Sequence, residues 1–182
     1  MTEYDPRVIV ALDGYRSCTE ALEMVDRLDP ELCRLKVGKE LFSRHGSHEF
    51  VEECARRGFD VFLDLKFHDI PNTVAAACDA AADLGVWMIN LHASGGRRMM
   101  DAAFEKLDAR AERPLLAAVT ILTSLGQEDI NEVGYAGTPR ENVVRLATLA
   151  YQSSLDAIIC SPLEASDVRS AVGEDMLIVT PG

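Results

Sequence analysis

The sequence is short of several things that mark common protein classes. It has no CxxC pair. Its five cysteines (Cys18, Cys33, Cys54, Cys78 and Cys160) lie 15, 21, 24 and 82 residues apart and are odd in number. Free thiols in a reducing cytoplasm are therefore expected rather than a disulfide framework. It has no long apolar run: the longest, around Leu115–Leu122, contains Thr120 and is too short to span a bilayer. The start, Met1 to Arg7, is polar and charged and has no basic region followed by an apolar one, so no signal peptide is expected. Cations are few. Eighteen Lys+Arg against 30 Asp+Glu leave a net charge of −12, which disfavours nucleic acid or an anionic membrane as the main partner. An anionic small molecule is not excluded, because a site can be locally basic. There is no GxGxxG, Walker loop or GxSxG, so nicotinamide, nucleoside triphosphate and serine-hydrolase chemistries lack support. There is also no HxH or HExxH, since His48-Glu49 is followed by Glu52 where a second histidine would stand. A catalytic metal is not expected from the four histidines.

What is present describes an ordinary globular domain. The chain has 182 residues, 48% hydrophobic and 26% charged. No Pro/Gly/Ser linker interrupts it, which predicts a single domain over 1–182. Short β-branched runs begin near Val8, Arg34, Val61, Trp87, Leu115, Ala157 and Leu177. Between them lie apolar stripes at helical spacing: Ala21, Leu22, Val25 and Leu28; Phe50, Val51, Cys54 and Ala55; Val74, Ala77, Cys78, Ala81 and Leu84. Ser17 and Thr19 are candidate caps, and Gly58 and Gly85 follow helix ends. The first five strand starts are 26, 27, 26 and 28 residues apart, one βαβ step each time. The next interval, 42 residues, has room for an extra helix near Gln127–Val133 before one at Pro139–Ser153. Nearly continuous apolar strands at this period predict parallel strands covered on both faces.

An open doubly wound sheet and a closed barrel both fit regular βα units. The barrel is favoured by the steady repeat and by the polar residues at strand ends: Asp13, Lys36, Asp64 with Lys66, His92, Thr120 with Thr123, Ser161 and Thr180. In a barrel those ends ring one mouth, whereas an open sheet gathers only those near one switch point. The predicted fold class is α/β, a (β/α)8 TIM barrel.

The densest cluster is Asp64-Leu65-Lys66-Phe67-His68-Asp69. Strand parity puts Asp64 and Lys66 on one face. Lys36 closes the preceding strand, and Asp69 lies past the strand before Pro71-Asn72-Thr73. The pattern is an alternating Lys, Asp, Lys, Asp array in which opposite charges keep one another ionised. A fixed carboxylate beside a cationic lysine suits replacement of a substrate carboxylate by hydrogen. Asp64 would disfavour the bound CO2−, while Lys66 would stabilise the developing carbanion and protonate it. An inert salt-bridge cluster at a barrel rim is the competing reading of the same spacing.

The segment Asp64-Leu65-Lys66-Phe67-His68-Asp69-Ile70-Pro71-Asn72-Thr73 resembles the signature of orotidine 5'-phosphate decarboxylases, in their bacterial form. Ala11-Leu12-Asp13, Leu35-Lys36-Val37-Gly38, Asn90 to Gly96, Val119 to Ser124 and Val179 to Gly182 resemble the family's other strand-end motifs, in order. The resemblance implies cofactor-independent, metal-free decarboxylation of orotidine 5'-monophosphate to UMP and CO2 in pyrimidine biosynthesis. It also implies residue roles. Asp13 would bond the ribose hydroxyls, and Lys36 would contact the ribose and the charged array. Asp64 would face the substrate carboxylate, and Lys66 would donate the proton. Asp69, Ile70 and Thr73 would reach the neighbouring subunit's site in a homodimer. Thr123 and Ser124 would lie at the pyrimidine end, and Pro181 beside the base. The expected location is the cytoplasm.

Three alternatives stay open on the residues: a Mg-dependent sugar-phosphate lyase or epimerase of the same barrel superfamily, a Schiff-base aldolase using Lys66 or Lys36, and an inactive barrel fragment. The DIPNT continuation argues against the first, and the flanking Asp64 and Asp69, which favour a charged lysine, argue against the second. The third arises from length, because a barrel takes at least about 200 residues. Seven strands are predicted, the seventh just before Pro181-Gly182. The eighth βα unit, and the arginine that by resemblance would hold the substrate phosphate, are expected on a longer chain. Gly95-Gly96 before Arg97-Arg98 reads either as an anion-binding turn or as a helix start with solvated arginines. Tyr135 to Thr138 has no assignable chemistry, and the orientation of Arg34 is open.

Overall fold

The computed structural model describes residues 5–45 and 47–182; the first four residues of the polar N-terminal run lie outside them. Seven strands are found among the described residues: β1 (Val8–Ala11), β2 (Cys33–Gly38), β3 (Val61–Phe67), β4 (Met88–His92), β5 (Leu115–Val119), β6 (Ala157–Ile159) and β7 (Leu177–Val179). They form one sheet in chain order, β1 to β7. The helices are α1 (Cys18–Val25), α2 (Lys39–His45), α3 (Ser47–Arg56), α4 (Pro71–Ala82), α5 (Arg97–Asp108), α6 (Gln127–Glu132), α7 (Pro139–Gln152) and α8 (Ala165–Val172), with a 3-10 turn at Ala93–Gly95. The extra helix in the long interval is α6. The β2–β3 interval carries two helices where one was expected, and α3 bears the Phe50, Val51 and Cys54 stripe, all buried.

Two compact units can be described. The first holds the described residues up to Leu65 together with Ala80–Ile89. In it β1 and β2 pair in parallel with Ala11 opposite Lys36, and β2 and β3 pair in parallel with Gly38 opposite Asp64. Four consecutive residues of β3, Val61 to Asp64, are buried, the pattern of a parallel strand covered on both faces. Ser17 caps α1, its Oγ accepting from the Glu20 N–H at 3.1 Å; Thr19, the other candidate cap, lies inside the first turn. Arg34 is held at the N-terminal ends of the strands. It bonds Asp5 and Asp60, which precede β1 and β3, and stacks 4.0 Å over the Trp87 ring. The open orientation is thereby decided: Arg34 serves the end opposite Lys36.

The second unit holds Lys66–Asp79 and Asn90–Gly182. Here β5, β6 and β7 pair in parallel, and Leu116 to Val119 are buried in an unbroken run. Helices α4 and α5 are tied by Asp79, which accepts from Arg110 at 2.6 Å and pairs with Lys106 at 3.1 Å. The Arg110 hydrogen bond, then Lys106, holds the Asp79 carboxyl below the usual carboxylate range. Thr138, last residue of the Tyr135–Thr138 loop, caps α7: its Oγ1 accepts from the Glu141 N–H, and its own N–H donates to the Glu141 carboxylate. Among the described residues no helix is long and apolar enough to cross a membrane.

The five cysteines are free thiols. Burial pushes Cys54 and Cys78 up to about 12 and Cys160 to about 11, so at neutral pH they carry almost no reactive thiolate. Only Cys18 is more than marginally exposed. A thiol reagent should therefore modify at most Cys18 in the native protein and all five after denaturation. Rapid native labelling of more than one thiol, read by mass spectrometry, would contradict this packing.

Candidate active site

In the first unit the predicted array is assembled around Lys36. Its Nζ lies 3.1 Å from Asp13 Oδ2 and 3.3 Å from Asp64 Oδ2. Strand register produces this arrangement. Gly38, the last residue of β2, pairs with Asp64 in the middle of β3, which sets the Asp64 carboxylate beside the end of β2. The Leu12 N–H donates to the Lys36 carbonyl at 3.0 Å, which carries the β1 pairing on to the residue before Asp13. The two ion pairs differ in environment. The Lys36 and Asp64 side chains are only 21% and 10% exposed, whereas Asp13 is 53% exposed. Solvent screens the Asp13 pair, so the Asp64 pair is the stronger electrostatic partner and Asp13 the more available to a ligand.

Gly38, which the sequence offered only as the last residue of the Leu35-Lys36-Val37-Gly38 motif, also has a place in this arrangement. A Cβ built on it would lie 2.7 Å from Asp13 Oδ1 and 3.4 Å from Lys36 Nζ. Its hydrogen is what lets the pair close.

In the second unit Lys66 has φ 53, a left-handed conformation at a non-glycine residue, which costs about 1–3 kcal/mol. The parity that puts Asp64 and Lys66 on one face assumes extended backbone throughout, and Lys66 departs from it. The Lys66 N–H donates to Asn90 Oδ1 at 2.7 Å, and Asn90 is fully buried. His68 and His92 stand with ring centroids 5.3 Å apart. Asp69 Oδ1 accepts from the Ile70 N–H at 2.6 Å, and the Ile70 carbonyl accepts from the Thr73 and Val74 N–H groups as α4 begins. Asp69, Ile70 and Thr73 are all exposed, Ile70 to 67%. Asp69 and Ile70 border an open groove whose other side is Ser94 to Arg98. The Gly95-Gly96 pair leads into α5, and Arg97 bonds Gln152 across to α7.

Further along, Thr120 is buried and spends its hydroxyl on the Ile159 carbonyl, a sheet contact. Thr123 and Ser124 follow β5 as exposed residues, and Pro181 is exposed just past β7. Ser161 turns the chain after β6, its Oγ accepting from the Leu163 N–H. Among the described residues no group of three or more His, Cys, Asp or Glu side chains is placed to hold a metal ion.

The profile of the orotidine 5'-phosphate decarboxylase / HUMPS family matches residues 6–182. The chain belongs to that family. It is 59% identical over 175 residues to an orotidine 5'-phosphate decarboxylase of Chromobacterium violaceum, covering 96% of this chain and 70% of that protein. It is 56% identical over 178 residues to one of Hydrogenovibrio crunogenus, covering 98% and 75%. The crystal structure of orotidine 5'-phosphate decarboxylase from Lactobacillus acidophilus superposes with a TM-score of 0.89 at 38% identity, covering 98% of this chain and 81% of that one. The fold is thus that of the family's (β/α)8 barrel, with seven of its strands in this sequence.

Within an orotidine 5'-phosphate decarboxylase family member, the crowding at Gly38 has a measurable consequence. Gly38→Ala should turn the exposed Asp13 carboxylate away from Lys36 at a cost of no more than about 1 kcal/mol, because the atom that the new methyl meets ends a side chain free to rotate. Denaturant unfolding measures this; a larger loss would mean that Asp13 cannot swing aside.

Proposed function

We propose that this protein decarboxylates orotidine 5'-monophosphate to UMP and CO2 without a cofactor, as a carboxy-lyase of pyrimidine biosynthesis. The observation that carries the mechanism is Lys36 held between Asp13 and the buried Asp64, with Lys66 two residues further along β3. Asp64 faces the substrate carboxylate and disfavours the bound anion. The bond from the pyrimidine carbon to CO2 breaks with its electron pair left on that carbon. The Lys66 ammonium stabilises the carbanion and gives it a proton, and solvent returns a proton to the lysine. The net change consumes one proton and releases CO2. Charge stabilisation is the larger contribution, because a preorganised cation acts where charge develops and needs no reorganisation.

The remaining roles follow the same reading. Asp13, the more solvent-accessible carboxylate on Lys36, takes the ribose hydroxyls, and Lys36 bridges ribose and array. Thr123 and Ser124 contact the pyrimidine, and Pro181 lies beside the base. Residues 1–182 act as one barrel domain. The protein works in the cytoplasm as a homodimer, with Asp69, Ile70 and Thr73 completing the neighbouring site. Their exposure, with an isoleucine among them, supports that role.

Two experiments on the full-length protein test this. Absorbance should fall as orotidine 5'-monophosphate is consumed, equally with and without EDTA. Lys66→Ala should lower kcat by at least about 10²-fold while leaving the protein folded. Strict metal dependence, or wild-type turnover in the alanine variant, would overturn the mechanism. The shared site is tested by mixing. Lys66→Ala and Asp69→Ala proteins, each inactive, should on subunit exchange recover up to about a quarter of wild-type activity, because a two-fold dimer of one chain of each kind has one intact site. No recovery, with exchange verified by mass spectrometry, would place Asp69 in its own subunit's site.

A further inference from the structure

We infer that Asn90 is a positioning residue for Lys66: its buried side-chain oxygen holds the lysine's backbone in the left-handed conformation from which the ammonium is presented. This rests on Lys66 being the proton donor. Among the described residues only Lys66 and Ser154 combine a side chain with positive φ. Ser154 stands just beyond the end of α7, where a left-handed residue is an ordinary way to leave a helix. Lys66 stands inside β3, where left-handed backbone interrupts the pleat and ends no helix. Such a conformation persists only where the surroundings over-determine it.

Asn90 is the group placed to do so. It sits mid-strand in β4, flanked by Met88, Ile89 and Leu91, and all four are 0% exposed. A carboxamide among such neighbours is costly to bury unless its polar atoms are used. Its Oδ1 receives the Lys66 N–H at 2.7 Å, and because that group can only donate, the carboxamide orientation is settled. An apolar residue of similar size would leave the Lys66 backbone without this bond. The hydrogen bond acts at the root of a flexible four-carbon side chain, so a small rotation there moves the ammonium by far more. Proton delivery to a carbon needs a near-attack distance, and a displacement of about 1 Å can cost 10²-fold in rate.

The test uses full-length Asn90→Leu, Asn90→Asp and Lys66→Ala proteins in steady-state kinetics, with folding checked by circular dichroism and thermal melting. Asn90→Leu removes the acceptor and should lower kcat by about 10- to 100-fold, with KM within about threefold, because substrate binding does not use this bond. Asn90→Asp keeps an oxygen in the same place and should recover most of that kcat. Where the leucine variant does not fold, Asn90→Ala removes the same oxygen with less steric demand and is read in its place. Wild-type kcat per folded molecule with a lowered melting temperature would reduce Asn90 to a core residue and overturn the inference. Equal loss of kcat in the acceptor-bearing and acceptor-free variants would also overturn it. Lys66→Ala separates the two readings. If it is inactive while Asn90→Leu is not, the positioning role alone fails. If it retains turnover, the donor assignment fails and the inference with it.

Discussion

Lys36 held between two carboxylates is the interaction on which the site in the first unit depends. One ammonium serves Asp64, almost withdrawn from solvent, and Asp13, half in it. A carboxylate as sheltered as Asp64 needs a cation at hand, because the cost of removing an ion from water rises steeply with burial. The same cation holds Asp13 where its carboxylate stays half exposed. The strands are arranged to make this possible: β2 contributes the lysine, β1 leads into Asp13, β3 carries Asp64, and Gly38 has no side chain to obstruct them.

The second unit meets a different demand at Lys66. There the constraint is conformational: backbone away from the strand region, held by a side chain from the next strand along. Polar side chains elsewhere in this unit complete turns and sheet edges. Thr120 bonds the Ile159 carbonyl, Ser161 closes a turn, and Thr138 with Glu141 caps α7. Residues that look alike in sequence, each polar and at a strand end, therefore divide into structural and chemical groups only when their partners are known. Thr120 and Thr123 show this: three positions apart, one is satisfied in the sheet and the other exposed.

Much of the architecture was legible without coordinates. Parallel strands carry apolar residues on both faces, and a βα unit has a characteristic length, so the strands beginning near Val8, Val61 and Leu115 could be located closely. Helix α6 was legible from interval length alone. The division of the β2–β3 interval into α2 and α3 was not, because an apolar stripe marks the buried face of one helix and says nothing of a second, more polar one. Arg34 was illegible for a related reason. It shares strand parity with Lys36, but which end of the strand it serves depends on Asp5, Asp60 and Trp87, which are remote in sequence.

By itself the sequence determined the run of βα units, the free state of the thiols, and the charged residues of Asp64 to Asp69 with Lys36 and Asp13 as companions. These follow from local periodicity and residue type, which neighbouring positions suffice to set. Only the tertiary structure decided that Lys36 bridges Asp13 and Asp64, that Gly38 lies against the Asp13 carboxylate, that Lys66 leaves the strand conformation and that Asn90 receives its N–H. Each of these is a contact between residues 23 to 28 positions apart, or a backbone angle held by one, or the space such a contact needs. The free energy of such contacts exists only once the strands have been brought into register.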